Sequence, residues 1–196
     1  MRVLLVGATG TIGSAIARAL APKHDVIAAS HSRAPHTVDL GRPDSIRSLF
    51  EKVGRIDAVI SAAGRAAFRP FLELTDADFQ LSLSNKLMGQ VNLVRLGLGA
   101  VADGGSFTLT SGILAQKPMP GGAAISLVNA GLEGFTRAAA LEAPRAIRVN
   151  VVSPGWVTET LIALKMDPSG GTPAAVVAKA YVRALEGRMT GEVLSP

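Results

Sequence analysis

The sequence predicts an α/β fold: a doubly wound, mostly parallel sheet with helices on both faces, in three layers. Three observations predict it. Short β-branched apolar runs alternate along the whole chain with longer segments of helical periodicity, the pattern of βαβ units. A glycine-spaced turn, GATGTIG, separates the first apolar run from the first helical segment. The chain has 196 residues, 48% hydrophobic and 18% charged, enough for one domain with a full core and too few for two.

Each element follows in order. RVLLVG reads as the first strand and GSAIARALA as the helix after it; DVIAAS is the second strand. RPDSIRSLFEKVG is a helix with a proline near its start and Gly54 placed to end it. DAVISAAG is a buried strand. TDAD, from Thr75, resembles a capping box and opens a helical region that includes NKLMGQVNLVRLGLGAV. Strand GSFTLTS, the glycine- and proline-rich loop GILAQKPMPGG and the helix AAISLVNAGLEGFTRAAALEA come next. IRVNVVSPG is a strand ending in a turn, TPAAVVAKAYVRALEG a last amphipathic helix, and GEVLSP a short edge strand. The result is a single domain over residues 1–196 with six or seven strands, its ligands expected at the carboxyl ends of the strands.

Composition narrows the function. The absence of cysteine removes disulfides, thiolate metal sites and a cysteine nucleophile, and fits a reducing cytoplasm. His24, His31 and His36 lack the spacing of metal ligands on one face, so no metal is expected. The net charge of +5 favours an anionic partner, but the basic residues are scattered and aromatics make up only 4%. A nucleic-acid partner is therefore not expected. The opening MRVLLVGATG is interrupted by glycine too soon for a signal peptide or a membrane span, and no membrane association is expected.

Between a strand and a helix, Gly7, Gly10 and Gly13 allow a tight turn, close approach of the backbone to a pyrophosphate, and packing of helix on sheet. This is the dinucleotide-binding pattern of the Rossmann-type fold, with a purely structural turn as the alternative. At the end of the second strand an acidic residue would bind the adenosine ribose of NAD. Ser30, His31, Ser32 and Arg33 stand there instead, a set suited to a 2′-phosphate, so NADP is expected in preference to NAD. A solvated Arg33 on a surface loop is the alternative.

These residues, with others in the same order, resemble the short-chain dehydrogenase/reductase family over nearly the whole chain. GATGTIG resembles its glycine motif, which implies cofactor contacts from Gly7, Thr9, Gly10, Thr11, Ile12 and Gly13. VDL resembles the segment beside adenine, implicating Asp39 and Leu40, and SAAG resembles the family's Asn-Asn-Ala-Gly motif, implicating Ala62, Ala63 and Gly64. VNVVSPGWVTET resembles the segment over the nicotinamide, with Pro154, Gly155, Val157 and Thr160.

The resemblance implies hydride transfer between a nicotinamide and a carbonyl or alcohol, with a tyrosine as proton donor, a lysine four residues later, a serine that polarises the carbonyl and an asparagine. Ser111 matches the serine. Aligned on its neighbours, the helix from Ala123 puts Ile125 at the tyrosine position and Asn129 at the lysine position, where an amide can still hold the nicotinamide ribose. The asparagine position falls on Lys86 with Gly89 as anchor, or on Asn85 after a one-residue shift; Lys86 is preferred because a helix tolerates a shift poorly.

Three readings stay open. The chain is a non-catalytic NADP-binding sensor or interaction protein; or Lys86 is a relocated proton donor or electrostatic stabiliser, with a solvated helix lysine as its alternative; or the substrate is an iminium ion or similar acceptor that needs little proton delivery. The expectation is an NADP(H)-dependent oxidoreductase acting on a small carbonyl, enone or imine, its catalytic candidates Ser111, Lys86 and Asn129. Tyr181 is expected to pack, and Trp156 either to wall the nicotinamide pocket or to lie in the core. The family's substrate lid is brief here, around 160–172. Pairing of the helices at 85–101 and 123–143 implies, by analogy with the family, a homodimer or homotetramer.

Overall fold

The computed structural model describes residues 1–196 as a seven-stranded sheet in the order β3-β2-β1-β4-β5-β6-β7, every pair parallel. The strands are β1 (Arg2–Val6), β2 (Asp25–Ser30), β3 (His36–Thr37), β4 (Ile56–Ser61), β5 (Val101–Thr110), β6 (Arg148–Val152) and β7 (Val193–Leu194). The helices are α1 (Thr11–Leu20), α2 (Pro43–Val53), α3 (Asp76–Ser82), α4 (Met88–Gly97), α5 (Ala123–Glu142), α6 (Thr158–Ala163) and α7 (Ala174–Glu186).

Alternation along β1 sets the layers. Leu4 and Val6 point into one core with residues of α2, α4 and α5, while Val3 and Leu5 point into the other with residues of α1 and α7. The strand order reverses direction between β1, which neighbours β2, and β4, so the crevice at the carboxyl ends of β1 and β4 is the switch point where such sheets hold ligands.

Local chemistry explains the helix boundaries. Pro43 opens α2, and Gly54 closes it at φ 64°, a conformation in which a side chain is strained. The capping box expected at Thr75 is present: the Thr75 hydroxyl accepts from the Asp78 amide, and the Asp78 carboxylate accepts from the Thr75 amide.

Four boundaries differ from the sequence reading. The sheet is wholly rather than mostly parallel, and its edge carries the two-residue strand β3, too short to leave an alternating pattern. Helix α4 ends at Gly97, because β5 already begins at Val101. The segment around 160–172, where a lid is expected, holds the end of the short helix α6 and a 3₁₀ turn at Pro168–Gly170. Between α3 and α4 lies one π-helical segment, Leu83–Leu87, marked by the Met88 amide donating to the Leu83 carbonyl. The helix therefore does accommodate a one-residue offset, which the sequence reading held against.

Candidate active site

The glycine turn closes tightly. Gly7 has φ 89°, and a Cβ there would lie 2.6 Å from the Ala62 carbonyl oxygen. A Cβ on Gly13 would lie 1.9 Å from the Gly7 carbonyl oxygen, so α1 can start this close to β1 only with glycine. No side chain caps α1, and the Ser14 amide is the first to reach an intrahelical carbonyl, that of Gly10. The amides of Thr11, Ile12 and Gly13 are left at a positive helix end, a cradle that fits a pyrophosphate. Thr9 stands in the turn itself, half-buried.

Beside this turn a cavity of about 290 Å³ is lined by Gly7, Ser30, His31, Leu40, Ala63 and Gly64 among others. The buried Ser30 hydroxyl accepts from the Arg33 amide at 2.9 Å. His31 lines it, Ser32 and Arg33 follow as exposed residues, and Arg33 enters no ion pair. One oxygen of Asp39 accepts from the Gly41 amide at 2.9 Å.

A second cavity of about 740 Å³ continues along the strand ends and shares Ala63 and Gly64 with the first. It brings together Ile12, Ala62, Lys86, Ser111, Ile125, Asn129, Pro154, Gly155, Val157 and Thr160, with Leu164 and Met166 of the lid. Trp156 lines it, its ring meeting Phe68 edge to face with centroids 6.3 Å apart. Trp156 thus stands in the wall of this cavity and not in the core.

Lys86, in the π segment, is 8% exposed and forms no ion pair; its Nζ reaches only the Ser111 carbonyl, at 3.5 Å. Burial pushes its pKa from the ordinary 10.5 down to about 8. Gly64, at φ 144°, makes room for it, since a Cβ there would lie 2.9 Å from the Lys86 Cγ. Asn85 faces elsewhere: its side-chain oxygen accepts from the Arg65 amide at 2.8 Å, and it borders the smaller cavity. Gln90, one turn on from Lys86, clasps the end of β5 by bonding both the Thr110 amide and carbonyl.

Helix α5 presents Ile125, Asn129 and Glu133 on one face at four-residue spacing. Asn129 is 1% exposed; its Nδ2 donates to the Gly112 carbonyl at 3.3 Å, and its Oδ1 has no partner. An orphaned buried acceptor beside the strand ends fits a ligand hydroxyl. Ser111 donates its hydroxyl to Glu133 Oε1 at 3.1 Å. Tyr181 is fully buried, as expected of a packing residue. The Thr110 hydroxyl donates to the Ser61 carbonyl, so the Tyr181 hydroxyl, 2.6 Å away, donates to Thr110. Burial raises the Tyr181 pKa.

The three catalytic candidates thus share one cavity, with the proposed nicotinamide-side residues around them. Glu133 escaped the sequence reading. Its signal was periodicity: it stands one turn beyond Asn129 and two beyond Ile125, on the face that already carried both.

The switch-point crevice, the uncapped helix behind the glycine turn and the polar residues at the strand ends define an α/β protein of the dinucleotide-binding class. The chain belongs to the short-chain dehydrogenase/reductase family of oxidoreductases: residues 7–188 match the family model described as Enoyl-(Acyl carrier protein) reductase. It is 33% identical over 132 residues to an acetoacetyl-CoA reductase of Cupriavidus necator, covering 63% of this chain and 54% of that one. It is 31% identical over 172 residues to an uncharacterized oxidoreductase of Schizosaccharomyces pombe, covering 79% and 66%. The chain spans about half the length of the curated relatives it matches first. Among solved structures, the protein lin1944 from Listeria innocua superposes with TM-score 0.96 at 42% identity, covering 100% of this chain and 98% of that one. A small-chain dehydrogenase in complex with NADPH superposes with TM-score 0.88 at 27% identity, covering 100% and 96%. No helix is long and apolar enough to cross a membrane.

Proposed function

We propose that the chain is an NADP(H)-dependent oxidoreductase that reduces a small carbonyl, enone or imine, with Lys86 in place of the family's tyrosine and lysine. The observation that carries this reading is the burial of an unpaired ammonium in the larger cavity, beside Ser111 and Asn129. A buried charge without a partner is costly and is kept where a reacting group uses it.

The α1 amides, with Gly7, Gly10 and Gly13 below them, would hold the pyrophosphate. Ser30, His31, Ser32 and Arg33 would meet the 2′-phosphate, while Asp39 and Leu40 border the adenine. Ala62, Ala63 and Gly64 would lie along the riboses, and Asn129 Oδ1 would accept from a nicotinamide ribose hydroxyl. Pro154, Gly155, Val157 and Thr160 would flank the nicotinamide. Bound NADPH supplies a hydride to the electrophilic carbon. Lys86 stabilises the negative charge that develops on the substrate oxygen and gives it a proton, leaving a neutral amine that water reprotonates. The mobile candidates for closing over the substrate are α6 and the turn behind it. A homodimer or homotetramer in a reducing cytoplasm completes the reading.

Fluorescence titration tests the shared premise, and NADPH consumption over carbonyl, enone and imine panels tests turnover. Binding without turnover on any substrate favours the non-catalytic sensor, which Ile125 at the tyrosine position supports. Arg33→Ala should weaken NADPH about tenfold to a hundredfold, the loss of one charge-assisted phosphate contact, and leave NADH within about twofold. Equal loss for both cofactors refutes the phosphate assignment.

A further inference from the structure

The hydroxyl of Ser111 is already spoken for. Glu133 is 5% exposed and receives three donors: Ser111 Oγ and Ser153 Oγ on Oε1, each at 3.1 Å, and Gln116 Nε2 on Oε2 at 3.3 Å. A carboxylate accepts only, so the direction of all three bonds is fixed. The Ser111 proton points away from the larger cavity toward Glu133, and the lone pairs of Oγ are what Ser111 offers to a molecule in that cavity.

A serine with a free hydroxyl can polarise a substrate carbonyl by donating to it. Here donation would break a hydrogen bond to a charged group, worth roughly 1.5–3 kcal/mol, for one to a neutral carbonyl worth about half that. The bond to Glu133 wins. The donor left for the substrate oxygen is the Lys86 ammonium, whose Nζ lies 3.5 Å from the carbonyl oxygen of the same Ser111. The pocket thus sets a strong donor and an acceptor beside one another.

We infer that Glu133 is a specificity-determining positioning residue, and that by fixing Ser111 as an acceptor it selects α-hydroxy carbonyl substrates. The substrate's carbonyl oxygen meets Lys86, and its neighbouring hydroxyl donates to Ser111 Oγ. A simple ketone leaves Ser111 Oγ unsatisfied in the closed site, and a 1,2-dione sets a second carbonyl oxygen against its lone pairs. This inference rests on the reductase reading above and adds the substrate class to it. The reaction balances as an acyloin reduction: the hydride of NADPH forms the new C–H bond, the Lys86 proton forms the O–H bond, and the products are a vicinal diol and NADP⁺.

The test uses 2-hydroxyacetophenone, acetophenone and 1-phenyl-1,2-propanedione, whose phenyl ring suits the Phe68 and Trp156 wall. Affinities are measured by calorimetry on the protein with and without NADP⁺, where no reduction takes place, and kcat/KM is measured with NADPH. The hydroxyketone should bind about fivefold to tenfold more tightly than acetophenone, and the dione most weakly. In Glu133→Leu no acceptor remains for the Ser111 hydroxyl, whose proton is free to turn into the cavity, so the hydroxyketone preference should vanish and the dione should gain. Ser111→Ala should bring the hydroxyketone and ketone to parity. An unchanged thermal transition and NADPH affinity show that a variant has kept its fold. Equal binding of hydroxyketone and ketone by the unaltered protein, or a preference that survives both substitutions, overturns the inference. Failure to bind NADPH, or absence of turnover with hydroxyketone preference intact in binding, is instead a failure of the reductase reading.

Discussion

At the residue scale the proposed chemistry is concentrated in Lys86. Its pKa, lowered to about 8 by burial against 10.5 for the ordinary side chain, makes it an acid suited to near-neutral pH. If it is the proton donor, kcat for carbonyl reduction should be high below about pH 8 and fall as pH rises through that value. Lys86→Met should abolish that limb and lower kcat, with NADPH affinity nearly intact; an unchanged profile would remove Lys86 from the chemistry. The same shift carries a sign for stability. Below about 8 the ammonium is charged in folded and unfolded chains alike, and folding bears its whole desolvation cost. Between 8 and 10.5 the folded chain sheds a proton that the unfolded chain keeps, and stability rises with pH. Lys86→Met should therefore stabilise the protein at pH 7, by on the order of 3 kcal/mol at most, with the gain shrinking toward pH 10.5 in thermal melts. Position 86 was legible in the sequence by counting from Gly89, but its burial was not, since nothing local announces that Gly64 makes room for it. The position of Glu133 could be read from helix periodicity, but its partners could not, since the fold brings Ser111 and Gln116 to it from the segment after β5 and Ser153 from the end of β6.

Among the elements, the glycine turn and α1 make the sharpest prediction. A Cβ on Gly13 would lie 1.9 Å from the Gly7 carbonyl oxygen, which only a backbone shift can relieve. Gly13→Ala should cost about 3 kcal/mol or more and abolish nucleotide binding, as read by melts and NADPH fluorescence. Gly155 lines the larger cavity with open space around its Cβ position, and Gly155→Ala should stay within about 0.5 kcal/mol in stability. The contrast separates a glycine required by packing from one that is not. The elements themselves were largely readable, because β1, β4 and β6 are apolar runs and α2 carries its own start and stop residues. Unreadable were β3, whose two residues pair only with β2, and the start of β5, where Val101 pairs with Ile56 ahead of a register shift. Those pairings are set by neighbouring strands rather than by local pattern.

For the whole molecule, the outward face of α5 carries an apolar stripe beside the exposed Arg137. Leu127, Ala130, Gly134, Ala138 and Leu141 are all exposed along it, Leu141 by 90%. A monomer would leave this stripe in water, so light scattering should show a homodimer or homotetramer. Leu141→Arg should weaken association about tenfold or more, in line with the loss of one buried leucine per partner. A monomeric parent protein would refute the expectation. The π segment at Leu83–Leu87 matters at this scale as well. Because the Met88 amide bonds the carbonyl five residues back, α3 and α4 run out of phase with each other, by the roughly 100° that one residue turns in a helix. The surface helix α3 and the helix that follows Lys86 thus present faces offset by one residue, and it is in this offset that Lys86 turns into the larger cavity.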